Sequence, residues 1–277
     1  MSRRTGVSAD ALRAWERRYG LLEPGRSRGG FRLYSDEDER RVRAMQALIE
    51  KGLSAAEAAR LTRAETAPAV GGPSIEPRIA TTRLIEAVAL LDEGIANSIL
   101  DELLTSLTFD AVATGVLLPA LREVGERWQD GRLSVAQEHF ATNLIRGRLL
   151  GLARGWGAGS GPRAVLACVP GELHDIGLIV FGLCLRERGW RITYLGADTP
   201  PLSVGAVAAE MDADLVVGVA LDDALVKRSR EPLRELAGAR RVLLAGVGIS
   251  AGAAASLGAQ RLAGNPVDAA AAVADAG

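Results

Sequence analysis

The hydrophobic period of the chain changes once, near residue 160, and this change restricts the fold more than any other feature. Before it, apolar residues recur at three- and four-residue steps through "RLIEAVALL", "ANSILDELLTSL", "VLLPALREVGERW" and "VAQEHFATNLIRGRLLGLARGW". These lengths and short joints predict a four-helix bundle over residues 78–157. After "GAGSGP" come four short apolar runs, "RAVLACV", "WRITYLG", "ADLVVGVAL" and "RRVLLAGVG", with helical stretches between them. Strands this uniformly apolar must be covered on both faces, so an α/β domain with a parallel, doubly wound sheet is expected over 162–277. "AQRLAG" can add a fifth strand and "PVDAAAAVADA" a last helix.

Ahead of the bundle, "AETAPAVGGPSIEP" in 64–77 reads as a linker. Residues 1–63 form a separate unit. Ser8 suits an N-cap, Leu12, Trp15 and Tyr19 make one apolar helix stripe, and Gly20 ends it. "LLEPGRSRGGFRLYS" reads as a two-stranded wing, and Ser35 with Asp38 forms the capping box of the next helix. This head carries 14 Lys and Arg against 9 Asp and Glu, whereas the remainder carries 19 against 25. A basic head on an acidic body suggests a polyanionic partner. Arg13, Arg17 and Arg18 on the helix and Arg26, Arg28 and Arg32 on the wing suit duplex DNA, with the helix in the major groove. A solvated charged face over a small Trp15–Tyr19 core is the alternative.

No apolar run approaches the roughly 20 residues of a membrane span, and the N-terminus lacks a secretion signal core. The chain is therefore expected in the cytoplasm. Cys168 and Cys184 sit in apolar settings and suggest no disulfide framework. Two histidines and two scattered cysteines match no zinc spacing. The first strand lacks a dinucleotide-binding glycine turn.

"GELHDIG" lies at the carboxyl end of that first strand, where open α/β sheets bind ligands. An imidazole presented from such a loop can coordinate the metal of a pre-made cofactor, provided its other nitrogen has an acceptor. Glu172 or Asp175 can serve His174 in this way, and Gly177 permits close approach to the backbone.

The segment "VSADALRAWERRYGLLEPGRSRGGFRLYS" closely resembles the winged helix-turn-helix of MerR-type transcription regulators. That resemblance makes 8–19 the recognition helix, with Arg13, Arg17 and Arg18 toward bases or phosphates and Tyr19 beside them. Arg26, Arg28, Arg32 and Tyr34 fall in or beside the wing. Such domains carry a fuller first helix before "TGVS", so a truncated first helix is expected here.

Glu172, His174 and Gly177 resemble the Asp/Glu-x-His-x-x-Gly signature of flavodoxin-like cobalamin-binding domains. The resemblance implies His174 as lower ligand to cobalt. It also implies a slot for the displaced nucleotide tail beside Gly218, Val219 and Ala220 and beside Ala245 and Gly246, without the hydroxyl of the usual serine. Trp128, Glu138 and His139 resemble the bundle motif of the light-sensing CarH/LitR family, in which such a tryptophan caps the upper face and the other two line the pocket. That family also has a histidine directly after the tryptophan, where this chain has Gln129.

Together these resemblances imply a non-enzymatic transcriptional repressor. It would bind operator DNA as an adenosylcobalamin-loaded homotetramer of paired dimers in the dark and release it on illumination. Alternatives are a light-independent sensor of this or another cobalamin, a corrinoid methyl carrier, and a scaffold that has lost its cofactor.

Overall fold

A computed structural model of the chain describes residues 1–22, 24–26, 32–50, 55, 58–59, 62 and 76–276. Its contacts separate two units, Met1–Ser74 and Ile75–Gly277. In the first, α1 (Ser2–Thr5) is followed by Gly6 in the left-handed region, and α2 (Ala9–Tyr19) starts at Ser8, whose side chain accepts from Ala11 N–H. Gly20 ends α2 at φ 57°, a conformation glycine adopts without a Cβ penalty. Strands β1 (Gly25–Arg26) and β2 (Arg32–Leu33) pair antiparallel, as expected of a wing. α3 (Asp36–Glu50) follows Ser35, which exchanges hydrogen bonds with Asp38 at 2.8 and 3.1 Å. Val7, Leu12, Leu21, Leu22, Val42 and Met45 close the core of this unit.

The second unit opens with α4 (Pro77–Ala89), whose first residue falls within the expected linker; 64–75 lie outside the described residues. α5 is Glu93–Ser106. A continuous helical run then comprises α6 (Phe109–Val112), a π-turn (Ala113–Leu117) and α7 (Leu118–Gln129), and α8 (Val135–Leu152) completes four helical rods. Pro119 accounts for the π-turn: it lacks an N–H, and its ring would press on the carbonyl of residue 115 in a regular helix. Thr81, buried on α4, places its hydroxyl 3.4 Å from that Gly115 carbonyl and 2.9 Å from the Pro77 carbonyl.

The chain then builds β3 (Arg163–Cys168), α9 (Ile176–Glu187), β4 (Arg191–Gly196), α10 (Pro201–Glu210) and β5 (Leu215–Val219). After these come α11 (Asp223–Arg228), α12 (Arg230–Ala239), β6 (Val242–Ala245), α13 (Ala251–Ser256), β7 (Gln260–Leu262) and α14 (Pro266–Asp275). The sheet order is β4-β3-β5-β6-β7, parallel throughout, and "AQRLAG" does supply the fifth strand.

Strand alternation divides the apolar residues between two cores. Leu166 and Val217 join Ile179 and Val180 of α9, Ala270 of α14 and Leu84, Ile99 and Ile145 of the bundle. Val165, Val216 and Leu244 pack instead with Val204 of α10 and Leu233 and Leu236 of α12. The bundle and one face of the sheet thus share a single core.

Candidate functional site

Between the bundle and the carboxyl edge of the sheet lies a cavity of about 490 Å³. Leu121, Val124, Gly125, Trp128 and Gln129 of α7 and Glu138 and Thr142 of α8 line it from the helical side. His174, Asp175 and Gly177 line it from the loop and start of α9. Gly246 borders it too, at φ 111°; a Cβ there would sit 2.0 Å from the Ala220 carbonyl oxygen, so only glycine fits. Deeper walls are apolar: Leu178, Phe181, Val217, Val219, Leu262 and Ala269.

The His174 loop is built around Glu172. One carboxylate oxygen accepts from His174 N–H at 2.9 Å and meets Nδ1 of the imidazole at 2.7 Å; the other accepts from Leu221 N–H at 2.6 Å. Burial alone would raise the Glu172 pKa. The bonds from Leu221 and His174 outweigh it and hold the carboxyl below its usual range. The imidazole itself is 77% exposed, with Nδ1 on Glu172 and Nε2 left for a ligand. Asp175 takes another part: it binds Arg146 of α8 and the Tyr194 hydroxyl of β4.

Trp128 is 45% exposed, although it lines the cavity, so it is a wall of the cavity more than a member of the core. Glu138 accepts from the Thr142 hydroxyl at 2.8 Å. His139 does not reach the cavity wall. Adjacent helical residues diverge by about 100°, and its side chain is 68% exposed, with Nε2 3.6 Å from Glu138. The tail slot also needs correction at two positions. Gly218 and Ala220 face the opposite side of the sheet from Val217 and Val219, so the two valines, not the smaller pair, line the cavity. The small size of Gly218 serves that other face, where a Cβ would meet Leu244 at 2.8 Å.

Arg146 and Tyr194 were not among the residues expected at the site. Arg146 was open to detection, two helical turns beyond Glu138 and one beyond Thr142 on the same face of α8; nothing in the strand pattern marks Tyr194.

In the N-terminal unit, Arg13 is exposed and paired with Asp10 at 2.5 Å. Arg32 is held by Glu16 through Nε at 2.6 Å, a bond that raises its pKa further and ties the wing to α2. Tyr19 and Tyr34 pack against the core, and burial, then the Glu16 charge, raises the Tyr34 pKa. Arg26 lies on β1. Arg28 and the side chains of Arg17, Arg18 and Arg26 lie outside the described residues.

Comparison with known proteins follows the same division. Residues 1–65 match the MerR HTH family of regulatory proteins, and 80–150 and 162–274 match two B12 binding domain families. The chain is 41% identical over 219 residues to the HTH-type transcriptional repressor CarA of Myxococcus xanthus, covering 78% of this chain and 73% of that protein. It is 36% identical over 220 residues to the repressor CarH of the same organism, covering 76% and 74%. The solved structure of the Methanosarcina barkeri monomethylamine corrinoid protein has the same fold over 72% of this chain and 99% of that one, with a TM-score of 0.60 at 19% identity.

Proposed function

The chain belongs to the CarA/CarH-like, B12-binding branch of the MerR-type transcriptional regulators, and from that premise we propose a repressor that adenosylcobalamin assembles on operator DNA in the dark and that light releases. It is a regulator and not an enzyme, and it binds cobalamin and DNA. In this reading the dark form is a cytoplasmic tetramer built from paired dimers, each chain loaded with adenosylcobalamin. No described helix is long and apolar enough to cross a membrane. We read the sheet as flavodoxin-like on its strand order, with the second strand at one edge and the first beside it.

His174 carries the cofactor assignment. Its Nδ1 is engaged by a buried carboxylate, which fixes the tautomer that leaves Nε2 as a donor pair to a metal. An apolar cavity with glycine at its rim opens beside it, which suits a large, partly apolar ring with a nucleotide tail. His174 would hold the cobalt, Glu172 would orient His174, and Trp128 and Glu138 would close the upper side. Gly177, Val219 and Gly246 would border the tail. When bound, the cofactor supplies a cobalt–carbon bond that visible light breaks. Trp128 would then distinguish the two states, because its ring would gain contact only while an upper group is present; a ligand shifts an assembly only through such differential contact.

On the head, α2 is assigned to the major groove, with Arg13 at the duplex beside Arg17 and Arg18. Arg26, Arg28, Arg32 and Tyr34 are assigned to the backbone. Glu16 keeps Arg32 in place and competes with phosphate for it.

The deciding experiment is a visible spectrum and a sedimentation profile of the full chain with adenosylcobalamin, before and after green light. A photolysed spectrum with a shift to smaller species supports the proposal. A photolysed spectrum with unchanged assembly favours a light-independent cobalamin sensor.

A further inference from the structure

Asp175 directly follows His174 and occupies the N-cap of α9. An aspartate there ordinarily accepts from first-turn N–H groups, yet this one makes no capping bond. Its oxygens instead take Arg146 Nε at 3.0 and 2.8 Å, Arg146 Nη2 at 2.7 Å and the Tyr194 hydroxyl at 2.5 Å. The carboxylate is 3% exposed. Tyr194 is fixed in turn by Trp156, edge to face with ring centres 5.4 Å apart.

A buried carboxylate with donors from two elements resists displacement, since losing one partner strands the charge. Its two principal partners come from different layers: Arg146 from the helical cover, on the face that carries Glu138 and Thr142, and Tyr194 from the sheet. Glu172, three residues earlier, pins the same loop to Leu221 beyond β5. The loop is therefore anchored on both sides of His174, and a displacement of the imidazole cannot be taken up within it.

We propose that Asp175 is a positioning residue that, through Arg146 and Tyr194, couples the placement of α8 to the placement of His174. The coupling rests on the cobalamin reading of the cavity, but it exists in the chain without a ligand and can be tested there.

The test uses the full chain and its Arg146→Met, Arg146→Lys and Tyr194→Phe variants. Amide hydrogen exchange is followed across 138–149, without ligand and with adenosylcobalamin in the dark, beside the visible spectrum. Arg146→Met should speed exchange of 138–149 about ten- to a hundredfold, the weight of a charge-assisted hydrogen bond, while the sheet keeps its protection. It should also remove the extra protection of 143–149, beyond the cavity-lining Glu138 and Thr142, on cofactor binding although the bound spectrum stays histidine-ligated, a loss that a merely stabilising contact would not produce. Arg146→Lys should restore most of that protection. If Arg146→Met does not fold, Tyr194→Phe, which removes one hydroxyl, should still reduce the ligand-dependent protection. Wild-type transmission of protection to α8 in both Arg146→Met and Tyr194→Phe overturns the proposal. Failure of the wild type to take up cobalamin overturns the cofactor reading instead; the coupling is then decided by exchange of the 171–178 amides in the unliganded chain, which Arg146→Met should speed and which an uncoupled loop would leave at the wild-type rate.

Discussion

Glu172 holds His174 twice, through the backbone N–H at 2.9 Å and through Nδ1 at 2.7 Å, while Leu221 N–H occupies its second oxygen. One carboxylate thus sets both the path of the loop and the tautomer of the ring.

His174→Ala should therefore remove the histidine-ligated visible spectrum of bound cobalamin. Glu172→Gln should keep the ligand but weaken cobalamin retention by about 10- to 100-fold, the usual weight of such an orienting partner. Titration followed by absorbance measures both. Unchanged spectra and affinities in both variants would sink the assignment.

Trp128→Ala should leave the fold almost unaltered, because the ring is already half exposed. It should erase the difference in assembly between protein loaded with adenosylcobalamin and with hydroxocobalamin, as read by dark sedimentation. A variant that still assembles only with the adenosyl form would assign the discrimination elsewhere.

Gln129 lines the cavity, whereas His139 points away from it. His139→Ala should leave the illuminated spectrum unchanged. Gln129→His should move it toward that of a cobalamin with two histidine ligands. A wild-type spectrum that changes on losing His139 would contradict the placement seen here.

Arg188 donates to Asp110 at 2.7 Å and, against the opposing effect of burial, holds that carboxyl below its ordinary pKa. The sign follows: a depressed folded pKa gives stability that is complete above the unfolded value, near 3.8, and is lost as pH falls through the lower folded value. Asp110→Asn should cost roughly 1 kcal/mol or less at neutral pH, as befits a partly exposed pair. It should flatten the decline in melting temperature below about pH 4. An acid limb identical to wild type would remove Asp110 from the account.

Operator binding should weaken steeply with salt, as expected when several phosphates are neutralised. Arg13→Ala should cost about 1–3 kcal/mol on the operator if Arg13 reads a base, and much less on unrelated duplex. Equal losses on both would make Arg13 a backbone contact. Gel shifts across a salt series distinguish the two.

Much of this architecture was legible because it rests on local rules. The change from helical to strand period located the bundle and sheet, and Ser8, Gly20 and the Ser35–Asp38 pair marked helix ends that the structure keeps. His174 and Glu172 were visible together because two residues in a loop suffice to bring them into contact. The face of a strand was harder to assign. Gly218 and Ala220 looked suited to a slot for being small, but their parity in β5 turns them to the other core. Tyr194 was hidden for a similar reason: its partner Asp175 comes from another strand's loop, and only the parallel β3–β4 pairing brings them together.

The π-turn at Ala113–Leu117 acts on everything that follows it. Such a turn accommodates one more residue than a regular helix would, and one residue is worth about 100° of azimuth. It therefore sets the phase of α7, which directs Leu121, Val124, Gly125 and Trp128 together toward the cavity. Pro119 and the hydroxyl of Thr81 keep that phase in place. Without the extra residue the same sequence would carry Trp128 about 100° around the helix and turn Ala120 and Val124 out of the core with it. In this chain the cavity-facing side of α7 is set by a counting offset upstream of Leu121, the first residue that lines it, so the same single residue registers Ala120 and Val124 in the core and Trp128 on the cavity wall.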